Sequence, residues 1–445
     1  MKEKMWMVLR LSVPAILAEI SSIVMQYIDA GMVGSLGADA SASIGLVAST
    51  TWLINGIGMA VAAGFAVQVA QFVGARQPRQ ARDTMRQAMG ICALIALGLS
   101  GTAVSLSGAL PRWLGGSETV CVMASQYFLV YACSLFFVLN RQMASHMLQC
   151  TGDMKTPSAL NMLLCVLDVV FNTFFIFGCG LGVLGAALGT AASEVVIAGM
   201  MVGKMCFGSP ILTIREEGSW RWQKQTMRTA FAIGALIAIE HSVVNVAQIV
   251  IVGIVAPLGT VAVAANSLAV TAESLCYMPG YGIGSAATTL VGQSVGAKDW
   301  GAVRAFADMA TLLGVGIMSV TALGMYMLAP FLFETMTNDL QVRALGVQVL
   351  RIEAFAEPFF AASIVIAGAL RGAKDTLMPS LYNLASMWGV RIVLSIVLAP
   401  VYGLPGVWFA MAFELGVRGC LFVYRLRSRK WLKIPETGAE RSVFV

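Results

Sequence analysis

Two carboxylates stand inside an apolar run long enough to span a bilayer: Glu19 and Asp29 lie in the stretch 11–33, LSVPAILAEISSIVMQYIDAGMV. An ionised group near a bilayer centre costs roughly 2.5 to 3.5 kcal/mol on insertion scales, so such groups face protein or a water-filled cavity and point to function. Glu19, Ser22, Gln26 and Asp29 step by three, four and three residues and share one helical stripe. A second set, Asn161, Cys165, Asp168 and Asn172, steps by four, three and four on another apolar segment, and the next segment carries Thr190. Asn172 and Thr190 each fall about 9 Å below the outer ends of their segments, a depth similar to that of Asp29, about 6 Å below Val33. Two carboxylates, an amide oxygen and a hydroxyl are hard ligands suited to a small cation such as sodium, or to a shared proton. Two plainer readings stand beside this one. Asp29 is wetted at a helix end, and Asp168 with Asn172 merely links helices by hydrogen bonds.

The elements that would hold these residues are membrane helices. The chain has 445 residues, 58% hydrophobic and 12% charged, with mean hydropathy +0.80, too few charges to cover a soluble surface. The first run is too long and too acidic for a signal peptide and is read as a mature helix, with Pro14 as a bend in it. Basic residues sort by side. Lys2, Lys4 and Arg10, then Arg76, Arg79, Arg82 and Arg86, then Lys155, Lys298, Arg304, Arg371 and Lys374 occupy alternate loops, while the others hold almost only Arg112 and Arg343. This is the positive-inside bias, which places both termini in the cytoplasm, the tail from Arg425 to Lys433 included. The net charge of +6 therefore reads as topology, and nucleic-acid binding is not expected. The nine cysteines fall mostly inside apolar runs without paired spacing and are expected to be reduced.

Apolar segments at about 11–33, 42–73, 88–110, 120–148, 158–178 and 184–207 are followed by a second series at about 229–256, 262–293, 305–329, 345–370, 378–399 and 405–425. The expected fold is all-α and polytopic, twelve transmembrane helices in two six-helix lobes. These are an N-terminal lobe 1–207, a connector 208–228, a C-terminal lobe 229–425 and a tail 426–445. Trp220 and Trp222 in the connector suggest a segment at the membrane interface. The series repeats residue by residue at an offset of 222: Leu36-Gly37 with Leu258-Gly259, Val73-Gly74-Ala75 with Val295-Gly296-Ala297, Gln26 with Gln248, Asp153 with Asp375, Asn161 with Asn383. Six helices per half make the repeats parallel, an arrangement that builds transporters with the substrate path between the halves.

The second half does not copy the acids of the first. At the same offset Asp29 meets Ile251, Asp168 meets Val390 and Glu19 meets His241. It has its own acids instead, Glu240, Glu273 and Glu357, which with Gln26 are candidates for contact with a substrate. Tyr277 and Tyr281, with Trp52 and Trp388, offer aromatic faces to a cation, although such residues also serve as packing. Glu414 and Arg418, four apart, read as an internal ion pair. No HExxH, P-loop or Cys/His metal spacing is present, so an enzyme is not expected. A channel is the other rival, and the duplicated halves with unequal acids favour alternating access over a continuous pore.

Several stretches resemble the multidrug and toxic compound extrusion family across essentially all twelve segments. They are Tyr27-Ile28-Asp29-Ala30-Gly31-Met32-Val33-Gly34, Met278-Pro279-Gly280 with Leu290-Val291-Gly292-Gln293, and Gly368-Ala369-Leu370-Arg371-Gly372 with Lys374-Asp375-Thr376. The resemblance implies a two-lobed antiporter that expels organic cations and other amphipathic compounds against sodium or proton entry. It also implies a first-lobe cation site at Asp29, Asp168, Asn172 and Thr190, and a bending role for Pro14. The acid of the fifth-segment pair stands first here, whereas proton-coupled bacterial members carry it second. Glu240 resembles the acid of the seventh segment in other members. The tenth-segment aspartate of some members aligns with Phe360, one turn after Glu357.

The resulting expectation is a bacterial inner-membrane antiporter, monomeric, working on small organic molecules. It needs no cofactor beyond sodium or protons as coupling ion. The alternative is a lipid-linked glycan flippase, which would need a strongly basic central cavity. The arginines counted within the membrane segments, Arg351, Arg391 and Arg418, are few for that.

Overall fold

The computed structural model describes residues 2–432. The expected tail, 426–445, is thus seen only to Leu432; the rest, Lys433 included, lies outside the described residues. The first lobe consists of α1 (Lys2–Gly34), α2 (Ala38–Gly74), α3 (Pro78–Leu106), α4 (Glu118–Cys150), α5 (Lys155–Gly178) and α6 (Gly182–Gly208). The second consists of α7 (Lys224–Leu258), α8 (Thr260–Gly296), α9 (Trp300–Met336), α10, α11 (Leu377–Tyr402) and α12 (Leu404–Ser428). Eleven of the twelve expected segments are single helices long and apolar enough to cross a membrane. The tenth, α10, is in two pieces, Leu340–Ala354 and Glu357–Gly372. Pro358 explains the break, since it lacks an N–H and its ring crowds the carbonyl four residues back, that of Ala354. Pro14, by contrast, sits within α1 without ending it.

Most helices outrun their apolar stretches, α1 by nine residues at its start, because a helix satisfies its own backbone and so continues into water beyond the hydrocarbon. The repeat is reproduced in the turns as well. Helices α1, α2, α3, α5 and α6 begin 222 residues before α7, α8, α9, α11 and α12. Gly37 and Gly259 hold φ of 113° and 101°, while Arg76 and Lys298 both take φ of 57°. A left-handed turn at a non-glycine residue is uncommon, so its recurrence at one repeat position ties the two halves in backbone detail.

All nine cysteines are free. The connector is folded onto α3. Arg82 pairs with Glu216 at 2.6 Å and donates to the Glu217 carbonyl, while Arg86 donates to the carbonyls of Ile214 and Glu216. These arginines, read from sequence as markers of sidedness, also fasten the segment that joins the lobes. Trp220 lies over Arg86 at 5.6 Å and, like Trp222, is exposed.

The lobes meet where α1 packs on α8 and α2 packs on α7 and α8. Their hydrogen bonds gather at the end of the bundle that carries the basic loops, here called the basic end. Gln71 Nε2 donates to the Gly372 carbonyl at 3.0 Å, Ser285 Oγ to Gln149 Oε1 at 2.8 Å, and Gln293 Nε2 to the Cys150 carbonyl at 2.8 Å. At the far end Gly31, Gly34, Gly253 and Gly259 have open space for 4 Å around a would-be Cβ. One interlobe bond lies nearer that end, from Tyr27 Oη to the Thr271 carbonyl at 2.8 Å.

The basic end closes through two glycines related by the repeat. A Cβ on Gly74 would strike the Gln293 backbone, and one on Gly296 would strike the backbone of Gln71. Only glycine permits this approach. Gly296→Ala is therefore expected to destabilise the closed basic end by about 1–3 kcal/mol, as overpacking typically does. In a variant with Cys150, buried here, as sole cysteine, its alkylation should accelerate by roughly fivefold or more. An unchanged rate would show that this crossing does not hold the end shut.

Candidate functional site

The first-lobe acids converge. Asn172 Nδ2 donates to Asp29 Oδ1 at 3.0 Å and to Asp168 Oδ2 at 2.8 Å, so one amide joins carboxylates from α1 and α5. Ser193 Oγ on α6 faces Asp168 Oδ1 at 3.3 Å, and Thr190, one turn earlier, also reaches the Asp168 side chain. Asp168 and Asn172 are buried, and Asn172 Oδ1 has no partner. The close seating of α5 on α6 comes from Gly185 and Gly189, four apart on one face of α6. A Cβ on Gly185 would stand 2.7 Å from the Phe175 carbonyl oxygen, and one on Gly189 would stand 2.7 Å from the Asn172 backbone nitrogen. Small residues at this spacing let membrane helices approach, and here they bring Thr190 and Ser193 to Asp168. Just beyond Asn172 the helix loosens into a π-turn, Phe174–Gly178, a device common near functional sites.

This arrangement can hold a small cation or a proton. Two carboxylates within reach of one amide nitrogen repel each other when both are ionised, and the surrounding protein screens them poorly, so a shared positive charge is favoured. Four of the expected residues, Asp29, Asp168, Asn172 and Thr190, are thus adjacent. Gln26, an exposed residue three before Asp29, is not among the groups bonded to the acids, and the separate Glu19 makes no bond to them.

Sequence reading missed several members of this neighbourhood. Ser193 is one. Tyr127 on α4 lies close enough to interact with both acids, and Arg141 on the same helix makes a bidentate pair with Glu194 at 2.6 and 3.0 Å and donates to Asn161 Oδ1 at 3.0 Å. The count of membrane arginines is corrected accordingly: Arg141 belongs among them. Its position inside the fourth apolar segment was the available signal.

Arg371 is corrected as well. Expected in a loop, it closes the last turn of α10 and binds Glu240 at 2.9 Å. Glu240 also accepts from Ser380 Oγ at 2.7 Å and Asn383 Nδ2 at 2.5 Å, so its charge is met within the protein. Glu240→Gln, which leaves Arg371 without its counter-charge, should weaken movement of cationic and neutral compounds alike. A loss confined to cations would mean that the pair opens to receive them.

The other second-lobe acids form a separate group. Glu273 on α8 and Glu357 on α10 face each other together with Glu353, near Arg391 of α11. Both oxygens of Glu353 and of Glu357 are buried without a hydrogen-bond partner. Tyr277 packs edge-on against Tyr281 at 6.0 Å and Phe360 at 5.5 Å, and Arg418 lies over Phe360 at 5.4 Å while pairing with Glu414 at 2.9 Å. Tyr277 is therefore packed beside this group with Phe360, while Tyr281 stays exposed at the end of the stack. Among the described residues no cluster of three or more His, Cys, Asp or Glu could hold a metal ion by such ligands.

The duplicated architecture has a direct counterpart in comparison with known proteins: the MatE family model matches this chain twice, over residues 14–174 and 237–397. The chain belongs to the MatE family. It is a multi-pass membrane transporter and not an enzyme. Among similar MatE relatives, the probable multidrug resistance protein NorM of Thermotoga maritima is 25% identical, the match covering 97% of this chain and 94% of that protein. The protein of the same name from Neisseria meningitidis serogroup B is 25% identical over 94% and 92%. A mutant of the Vibrio cholerae MATE transporter VcmN has the same fold, with a TM-score of 0.90 at 19% identity over 97% of this chain and 98% of that one. So has a MOP superfamily transporter from Pyrococcus furiosus, at 0.90 and 17% over 96% of each.

Proposed function

We propose that this MatE protein is a secondary antiporter of a bacterial inner membrane that exports amphipathic, often cationic, organic compounds in exchange for sodium or protons. The observation that carries the reading is the single amide of Asn172 joining Asp29 and Asp168. A buried Asp168 beside a half-buried Asp29, with the hydroxyls of Thr190 and Ser193 on the buried acid, suits a small cation. The names of the relatives, multidrug resistance proteins, support the class of cargo. The basic loops support a cytoplasmic basic end. With the interlobe hydrogen bonds gathered there and the far-end glycines Gly31, Gly34, Gly253 and Gly259 in open space, the molecule would stand open to the outside, ready to release cargo and take up the coupling ion.

Exchange follows if ion and cargo favour different arrangements of the lobes. Filling the Asp29–Asp168 pair relieves its repulsion and changes how α1 and α5 pack, and α1 is also the helix that lies on α8. One pH unit supplies about 1.4 kcal/mol and 100 mV about 2.3 kcal/mol per charge. A monovalent cation leaving against one proton uses only the first of these; two ions per cycle would use both. The test is efflux of a permanent monocation from proteoliposomes with sodium and pH gradients imposed separately. Acceleration by one gradient supports the antiporter, whereas efflux indifferent to both contradicts it.

A further inference from the structure

The second lobe has a groove on the side of α10 turned away from α8 and so away from the first lobe, between α10 and its flanking helices α9 and α12. Its upper part, of about 500 Å³, is lined by Arg351, Phe355, Phe359 and Phe413 with Tyr326 at its edge. A second part of about 570 Å³ shares Phe359, Phe413 and Gly416 and continues to Tyr424. From Phe409 to Tyr424 the groove follows α12 for about 22 Å, starting about 8 Å below the far end of that helix. Phe355, Phe359, Phe409 and Phe413 are all exposed, and a Cβ on Gly416 would meet nothing within 4 Å. The floor is open.

Arg351 is the anomaly in this apolar trough. Its Nε donates to the Tyr326 carbonyl at 3.3 Å, and its guanidinium lies over the Tyr326 ring at 5.0 Å. Arginines 141, 371 and 418 each have a carboxylate within 3.0 Å; among the described residues Arg351 has none. Arg351 lies about 16 Å along α10 from its start at Leu340, and a guanidinium inside a membrane helix is costly unless an anion meets it; the anion a bilayer supplies is the lipid phosphate.

We propose that this groove is a binding site for an anionic phospholipid of the far-end leaflet, its phosphate on Arg351 and an acyl chain laid along the phenylalanines. The charge sets the headgroup. The length of the trough sets the chain. A basic residue recognises anionic lipid with about 1 kcal/mol, or about fivefold over a zwitterionic lipid. Because Phe355 lies in the break of α10 and Phe359 just after it, on the helix that carries Glu353 and Glu357 on its other face, an occupied groove would also steady the acid group from behind.

The experiment uses the full-length protein in phosphatidylcholine nanodiscs containing photoactivatable phosphatidylglycerol or photoactivatable phosphatidylcholine, with cross-links to α10 and α12 mapped by mass spectrometry. The glycerol probe should label the groove about fivefold more than the choline probe. Arg351→Gln should remove that preference and Arg351→Lys should keep it. Gly416→Leu, which fills the open floor, should lower labelling by both probes. Equal labelling of the native protein, or a preference that survives Arg351→Gln, overturns the assignment.

Discussion

Asp29→Asn is expected to lower gradient-driven efflux by about tenfold or more while leaving the protein folded and inserted. The substitution keeps the size and an acceptor oxygen for Asn172 but removes the charge on α1 that a sodium ion or proton would neutralise. A hydrogen bond to a charged group contributes about 1.5–3 kcal/mol, so loss of the charged partner lowers occupancy by about tenfold or more. Initial efflux rates in proteoliposomes under a fixed gradient measure this directly. Unimpaired coupled efflux would reduce Asp29 to a wetted residue near a helix end. Asp168→Asn should act in the same direction, with a loss of stability in addition, since Asp168 is buried and accepts from Asn172.

The second large effect is expected at Arg141. Its pair with Glu194 is mostly shielded, with side-chain exposures of 12% and 11%, and truncating one partner of a buried pair costs about 3–5 kcal/mol because the other charge is stranded. Arg141→Met should therefore lower thermal stability sharply in detergent, read by intrinsic tryptophan fluorescence. The double replacement of Arg141 and Glu194 by Met should recover much of the loss, since two apolar side chains need no counter-charge. A double variant as unstable as the single one would refute the stranded-charge explanation and put the cost in packing around Asn161.

Much of the architecture is legible in the sequence because the membrane makes it so. Apolar runs of bilayer length must become helices, and the 222-residue register shows directly in paired motifs such as Val73-Gly74-Ala75 and Val295-Gly296-Ala297. The tenth helix shows the limit. Its run, 345–370, carries Glu353 and Glu357 yet reads as one segment by length and hydropathy, and only Pro358 signals that the backbone must part there. The acid cluster is half legible. Asp29, Asp168 and Asn172 stand out because polar residues are rare in their helices, but Ser193 looks like any small residue on a helix and acquires meaning only when Gly185 and Gly189 bring α6 against α5. Arg371 misleads for a different reason: it ends an apolar run beside Gly372 and Lys374, and nothing local says that its side chain folds back to Glu240, 131 residues earlier.

The most direct measurement of the central claim, that the Asp29–Asp168 pair holds the coupling ion in competition with cargo, is ion release on cargo binding. A cationic cargo added to purified protein in weakly buffered solution is followed by a pH indicator and, in parallel, by displacement of radioactive sodium. The native protein should release one of the two ions, and Asp29→Asn should release neither. Equal release from the native protein and Asp29→Asn would contradict the account.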